Sequence, residues 1–244
     1  MTEKVLFKFR KIDKFVLKSL VHSEFYFARP DRLNDPFDCK VDILMALENA
    51  ISRSEMPSRQ NLEKLRGMRG FFEKVQTDLE NMGVCSFSLE LENPLMWSHY
   101  ADDHRGVCLT YSLPDSFFYE TAKEILGIAK VHCDINPLSD WFLKEANGLV
   151  SFEKFGISLI KKALTVKARP WEYEQEVRIV RRTDGAHAID KRYLKQVCFG
   201  LATPEADVDL VRRILNQGGY DVALYKMQRS AESDFGFKAQ VVIG

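Results

Sequence analysis

An α+β fold is what the sequence predicts, and three observations carry it. Short runs of β-branched and aromatic residues recur along the chain, among them VLFKFR at 5–10, VCSFSL at 84–89 and VCLTY at 107–111. Helical stretches fall between these runs without the regular strand–helix alternation of a doubly wound sheet. The 244 residues are 45% hydrophobic and 29% charged, enough for one large core or two small ones. The expected architecture is a single domain over 1–244 with a mixed, largely antiparallel sheet, split or continuous, and flanking helices. A helical hairpin at 41–82 is inserted in it.

Residues 5–10 alternate, so Lys8 and Arg10 share the polar face of a first strand. Asp13 is placed to cap a short helix with Phe15, Val16 and Leu20 on one face. A second strand, 24–28, carries Tyr26 and Phe27. RPDRLNDPFD at 29–38 is dense in turn formers: Pro36 forces Asp35 out of helix, and Asn34 and Asp38 can bond back to the chain. Read blandly this is a well-made turn; read as a site, it holds Asn34, Asp35 and Asp38 on a rigid loop past a strand end. Apolar stripes at Ile43, Leu44, Leu47 and at Leu62, Leu65, Phe72, Val75, Leu79 mark the inserted helices, with a polar loop at 52–59. The basic residues from 59 to 74 read as a solvated helix face.

After the strand at 84–89, Asn93 is an N-cap with Pro94 at the first helical position. On that helix Met96, His99 and Tyr100 share a face, as do Trp97, Tyr100 and His104, and Gly106 ends it. Further strands are expected at 107–111, 125–134, 196–201, 222–227 and 238–243, and helices at 138–147, 152–164 and 204–215.

The stretch with most chemical content is WEYEQEVRIV at 171–180. As a strand, it sets Glu174, Glu176 and Arg178 on one face and Tyr173, Gln175, Val177 and Ile179 on the other. Two carboxylates and a guanidinium in a row are either a solvated ion-paired face or a site in which Arg178 holds one carboxylate and the other meets a ligand.

Charge and cysteine usage narrow the class. Thirty-five basic residues balance 35 acidic ones, which argues against bulk electrostatic binding to nucleic acid or membrane while allowing a local groove. Cys39, Cys85, Cys108, Cys133 and Cys198 form no CxxC pair, four of them lie in apolar runs, and no signal peptide precedes them. Buried thiols in a reducing, cytoplasmic setting are therefore expected. No run is long and apolar enough for a membrane span. His99 and His104 lack nearby partners for a zinc site. A phosphate-binding glycine loop and a serine-nucleophile elbow are absent, so kinase, Rossmann and hydrolase readings lack support.

Four motifs occur in order: FKFR at 7–10, LNDPFD at 33–38, MWSHYADDHRG at 96–106 and WEYEQEVR at 171–178. Together they resemble the bacterial domain-of-unknown-function family numbered 2971, over roughly residues 5 to 201. The layout is also similar to the ADP-ribosyltransferase superfamily. That resemblance implies an ADP-ribosyltransferase-like fold and NAD as substrate, gripped by Lys8 or Arg10 on the first strand. It implies Tyr26 or Phe27 near the nicotinamide, Glu176 as the catalytic glutamate and Glu174 two residues before it. A fixed carboxylate suits the oxocarbenium ion formed when the nicotinamide–ribose bond breaks. By the same analogy the acceptor is a macromolecule, whether RNA, DNA or protein. The biological setting would be a toxin or phage-defence effector with an antitoxin or regulatory partner.

Two other readings use the same residues. One is a non-catalytic module binding a nucleotide or a partner, with Glu174, Glu176 and Arg178 as a structural ion network. The other is a nuclease with Asp35, Asp38, Glu174 and Glu176 on magnesium and Lys8 beside them. The enzyme reading requires Lys8 or Arg10, His99 or His104, and Glu176 to border one cleft beside the sheet. Asn34, Asp35, Tyr100 and Arg178 complete the expected NAD site.

Overall fold

The computed structural model describes residues 3–35, 38–39, 42–145, 152–230 and 236–241. The first part of the chain runs β1 (Glu3–Arg10), α1 (Lys14–His22), β2 (Glu24–Phe27), α2 (Ile43–Arg53), α3 (Ser58–Arg66), α4 (Arg69–Glu80) and β3 (Gly83–Ser88). Then come α5 (Pro94–Tyr100), β4 (Val107–Pro114), α6 (Asp115–Glu120), β5 (Ile125–Lys130), β6 (His132–Asp134), α7 (Pro137–Glu145) and α8 (Phe152–Ala163). The last part is β7 (Val166–Ala168), β8 (Glu176–Arg181), β9 (Gly185–Ala188), β10 (Leu194–Phe199), α9 (Glu205–Gln217), β11 (Ala223–Arg229) and β12 (Phe237–Val241).

Local signals place several of these elements. The Asp13 carboxylate accepts from the Phe15 and Val16 amides at 2.9 and 3.1 Å and starts α1; Asn93 accepts from the Leu95 amide at 3.0 Å and starts α5. Elsewhere tertiary packing overrides the pattern. The inserted segment forms three helices rather than a hairpin. The strand expected over 125–134 breaks at Val131 into β5 and β6, which belong to different sheets. Residues 169–174 form a 3-10 helix, so Glu174 precedes the strand instead of lying in it. The helix expected to reach Gly106 stops at Tyr100, because Asp102, Asp103 and His104 take left-handed backbone angles. Gly106 serves close approach instead, since a Cβ there would sit 2.3 Å from the Arg10 carbonyl oxygen. The parts of the expected elements at Pro36, Phe37, Lys40, Val41, Ala146, Asn147, Val242 and Ile243 lie outside the described residues.

The main sheet has eight strands in the order β12-β11-β10-β4-β1-β3-β8-β5, antiparallel except for β10 with β11. Two short pairs, β2-β9 and β6-β7, complete the set. One face of the sheet is covered by α2, α3, α4, α7 and α8, whose apolar side chains meet Val84 and Val180. The other face is covered by α1, β2 and α9 around Leu6, Phe87, Leu109, Val177 and Ile179. α5 packs Met96 and Trp97 against Phe9 and Cys108.

The sheet is split near its middle. β1 pairs with β4 along its whole length but meets β3 at one register pair, Phe7 with Ser88. Farther along, the partner of β3 on that side is the end of β2, where Ala28 and Val84 exchange backbone hydrogen bonds of 2.9 and 2.8 Å. The gap between these two contacts is where the candidate site lies. Among the described residues no helix is long and apolar enough to cross a membrane.

Candidate functional site

The register across β3 and β8 sets what faces the split. Ser86 lies opposite Arg178 and Ser88 opposite Glu176, so these four side chains share one face of the sheet. Lys8 belongs to the other face: its ammonium sits 4.8 Å from the Phe87 ring centre and 3.3 Å from the Cys85 sulfur. It also donates to the Ser86 carbonyl at 2.9 Å, bridging the gap where a strand partner is missing. A cavity of about 290 Å³ passes through the split, bounded by Lys8, Arg10, Tyr26 and Arg32 on one side and Tyr100, Lys167, Glu174 and Glu176 on the other.

On the acidic side every charge is buried and partnered. Arg178, 0% exposed, donates to Glu176 through Nε at 2.7 Å and Nη2 at 2.9 Å, and to Asp38 at 2.6 Å. Its Nη1 reaches the Leu164 carbonyl at 2.8 Å and the Cys39 sulfur at 2.9 Å. Lys167 lies 2.6 Å from Glu174, 3.2 Å from Glu176 and 3.6 Å from Asp38, with its ammonium 4.9 Å from the Trp171 ring centre. Tyr100 donates a short hydrogen bond to the remaining oxygen of Glu174 and accepts one of 3.0 Å from Asn34. Three carboxylates thus meet two cations, which leaves one negative charge in excess when all are ionised.

The two glutamates ionise differently. Burial pushes the Glu176 carboxyl up, but Arg178 outweighs it and holds the group at about 2. For Glu174 burial wins over Lys167 and Tyr100, and the carboxyl stays above its ordinary range. Burial alone would lower the Lys167 ammonium; Glu176 and Glu174 reverse this and hold it raised. Burial and the Glu174 carboxylate both raise the Tyr100 phenol. Glu176 is therefore held as an anion, and of the two glutamates Glu174 is the one that takes up a proton more readily.

The predicted residues do not all gather here. Lys8, Arg10, Tyr26, Asn34, Tyr100, Glu174 and Glu176 line the cavity, and Arg178 lies directly behind Glu176. Neither histidine is among the described lining residues, so the convergence that the enzyme reading requires holds for Lys8, Arg10 and Glu176 but not for a histidine. His99 is exposed beside Tyr173, and the His104 ring lies 3.1 Å from Ser98 in the turn after α5. Asp35 is buried toward a neighbouring cavity, while Asp38 reaches both. The cleft expected beside the sheet runs through it instead. Lys167 was not anticipated from the sequence, and its only signal there was the surplus of carboxylates. Among the described residues no group of three His, Cys, Asp or Glu side chains is arranged to hold a metal, and two cations stand among the carboxylates of the nuclease reading.

The class defined so far is an α+β protein with a buried ion cluster set into a split, mostly antiparallel sheet. Residues 96–179, about a third of the chain, match a family described as "Protein of unknown function (DUF2971)". The matched segment holds Tyr100, Lys167, Glu174, Glu176 and Arg178, and it supports the resemblance to that family. No curated protein and no solved structure matches the chain.

Proposed function

We propose that the protein is an ADP-ribosyltransferase-like enzyme that breaks the nicotinamide–ribose bond of NAD and passes the ADP-ribosyl group to a macromolecular acceptor. One observation supports this reading: a cavity with Lys8, Arg10 and Arg32, which have no ion pair among the described residues, on one side of the split and a surplus carboxylate on the other. A diphosphate suits Lys8, Arg10 and Arg32, and a ribose ring suits the carboxylates. As the bond breaks, nicotinamide leaves with the bonding pair, and C1′ and the ring oxygen share the positive charge. The acceptor then attacks C1′ and gives its proton to Glu174. Both glutamates have both oxygens engaged, Glu176 by Arg178 and Lys167 and Glu174 by Tyr100 and Lys167. The raised Glu174 carboxyl is the one suited to take a proton, so here it has the reacting role expected of Glu176, with Glu176 fixing Lys167 and Arg178 around it. Tyr100 and Asn34 orient Glu174.

The complete partnering of Arg178 and Glu176, and a cavity whose described lining includes neither His99 nor His104, favour the second reading, a nucleotide- or partner-binding module that catalyses nothing. Nicotinamide release from NAD separates the two. Glu174→Gln is expected to stay folded with a lowered melting temperature, because Lys167 loses a buried charged partner, and to lose roughly a hundredfold or more in turnover. Wild-type protein that neither binds nor turns over NAD would end the transferase reading. In the wild type, activity should rise with pH as the raised Glu174 carboxyl ionises, and that limb should be lost in Glu174→Gln; an unchanged pH profile in the variant would remove Glu174 from the reaction.

A further inference from the structure

On the basic side of the split lies a second cavity, of about 490 Å³, which joins the first through Lys8, Arg10, Tyr26, Ala28 and Arg32. Its far wall is made by α1, with Phe15 and Lys18, and by Tyr111 of β4. Tyr111 is 4% exposed and packs edge-on against Phe25 and Phe87. Its hydroxyl makes no hydrogen bond among the described residues, and neither does the Arg10 guanidinium, which also has no ion pair among them. Phe15 and Tyr26, by contrast, are 59% and 47% exposed at the cavity. Between residues 8 and 32 the chain carries seven Lys and Arg against three Asp and Glu, although the whole chain is neutral.

These features describe one kind of ligand. A hydroxyl without a partner at the wall of a cavity fits a heteroatom on a flat ring, exposed aromatic side chains fit the face of that ring, and an unpaired guanidinium fits phosphate. The volume falls within the roughly 300–1,000 Å³ of small-molecule sites. We propose that this second cavity is a nucleotide subsite that takes an aromatic base with its phosphate. Tyr111 bonds the base edge, Phe15 or Tyr26 stacks on it, and Arg10 and Arg32 hold the phosphate at the mouth of the split. The nucleotide belongs either to a free nucleotide or dinucleotide or to one unit of a single-stranded nucleic acid. The inference stands on the lining of this cavity and needs no glycosyl transfer.

The test uses the whole chain and two probes: adenosine 5′-monophosphate by calorimetry, and fluorescein-labelled single-stranded DNA and RNA of about 12 nucleotides by anisotropy. Tyr111→Phe keeps the ring packing and should weaken binding roughly fivefold to tenfold; Phe15→Ser should weaken it to a similar degree. Melting temperatures near that of the wild type show that both variants fold. Binding of the monophosphate alone assigns the subsite to a free nucleotide; salt-dependent binding of an oligonucleotide that the monophosphate displaces assigns it to a strand. Either result supports the proposal. It is overturned if the wild type binds neither probe, or if both variants bind as tightly as the wild type. Nicotinamide release is measured on the same samples, so loss of turnover and loss of this subsite are read separately.

Discussion

The two sides of the split treat charge in opposite ways. On the acidic side Asp38, Glu174, Glu176, Lys167 and Arg178 are buried and joined by close contacts. On the basic side Arg10 and the Tyr111 hydroxyl have no partner among the described residues, although they lie only a strand or two away. A buried, fully satisfied network holds the fold in register, and removing one member strands the others. Groups left unsatisfied at a cavity contribute little to stability and are available to a ligand. Stability should therefore depend on one side and binding on the other.

The sharpest way to break the contrast is Arg178→Ala. It leaves Asp38 and Glu176 buried without their guanidinium and should cost about 3–5 kcal/mol in denaturant unfolding. A loss under 1 kcal/mol would mean that the network is dispensable. Acid comes next. Glu176 is held near 2 against 4.5 in the ordinary range, so between these values the unfolded chain binds the extra proton, and stability falls as pH falls through that window. The contribution lost is on the order of 3 kcal/mol, and Glu176→Gln should flatten that limb of the profile. Glu174 acts in the opposite sense: its raised carboxyl favours the fold at lower pH and loses that contribution as it ionises. Smallest of all, Arg10→Ala should change stability by no more than about 0.5 kcal/mol while weakening nucleotide binding. A large destabilisation there would show that the basic side is structural as well.

Whatever depended on neighbouring residues could be read from the sequence. The caps at Asp13 and Asn93, the strand at 5–10 and the apolar stripes of the insertion follow from side-chain chemistry within a few positions. The acidic stretch also stood out, because two glutamates and an arginine at alternate positions are an unusual strand face. Lys167 could not be found that way. It sits in a three-residue strand, and its partners at positions 38, 174 and 176 are brought to it by the fold. His104 was misplaced because three successive left-handed residues after α5 turn the chain away, and such angles are uncommon for residues other than glycine. The split was equally hidden, since strand order is a long-range property. β1, β3 and β8 come from residues 3–10, 83–88 and 176–181.

Mechanically, so slender a seam makes the sheet two panels. One holds β1, β4 and the C-terminal strands, the other β3, β8 and β5, and between β1 and β3 only the Phe7–Ser88 register joins them. The core around Leu6, Phe87, Leu109, Val177 and Ile179 spans both panels, so packing on that face, more than strand pairing, sets the angle between them. A molecule lying through the gap, held by Lys8 on one panel and Glu174 beside the other, would act as the missing rung. Its binding energy would then be spent partly on stiffening, and backbone amides along β1 and β3 should exchange with deuterium more slowly when the gap is filled. Unchanged exchange on both strands at saturating ligand would show that the panels are already rigid.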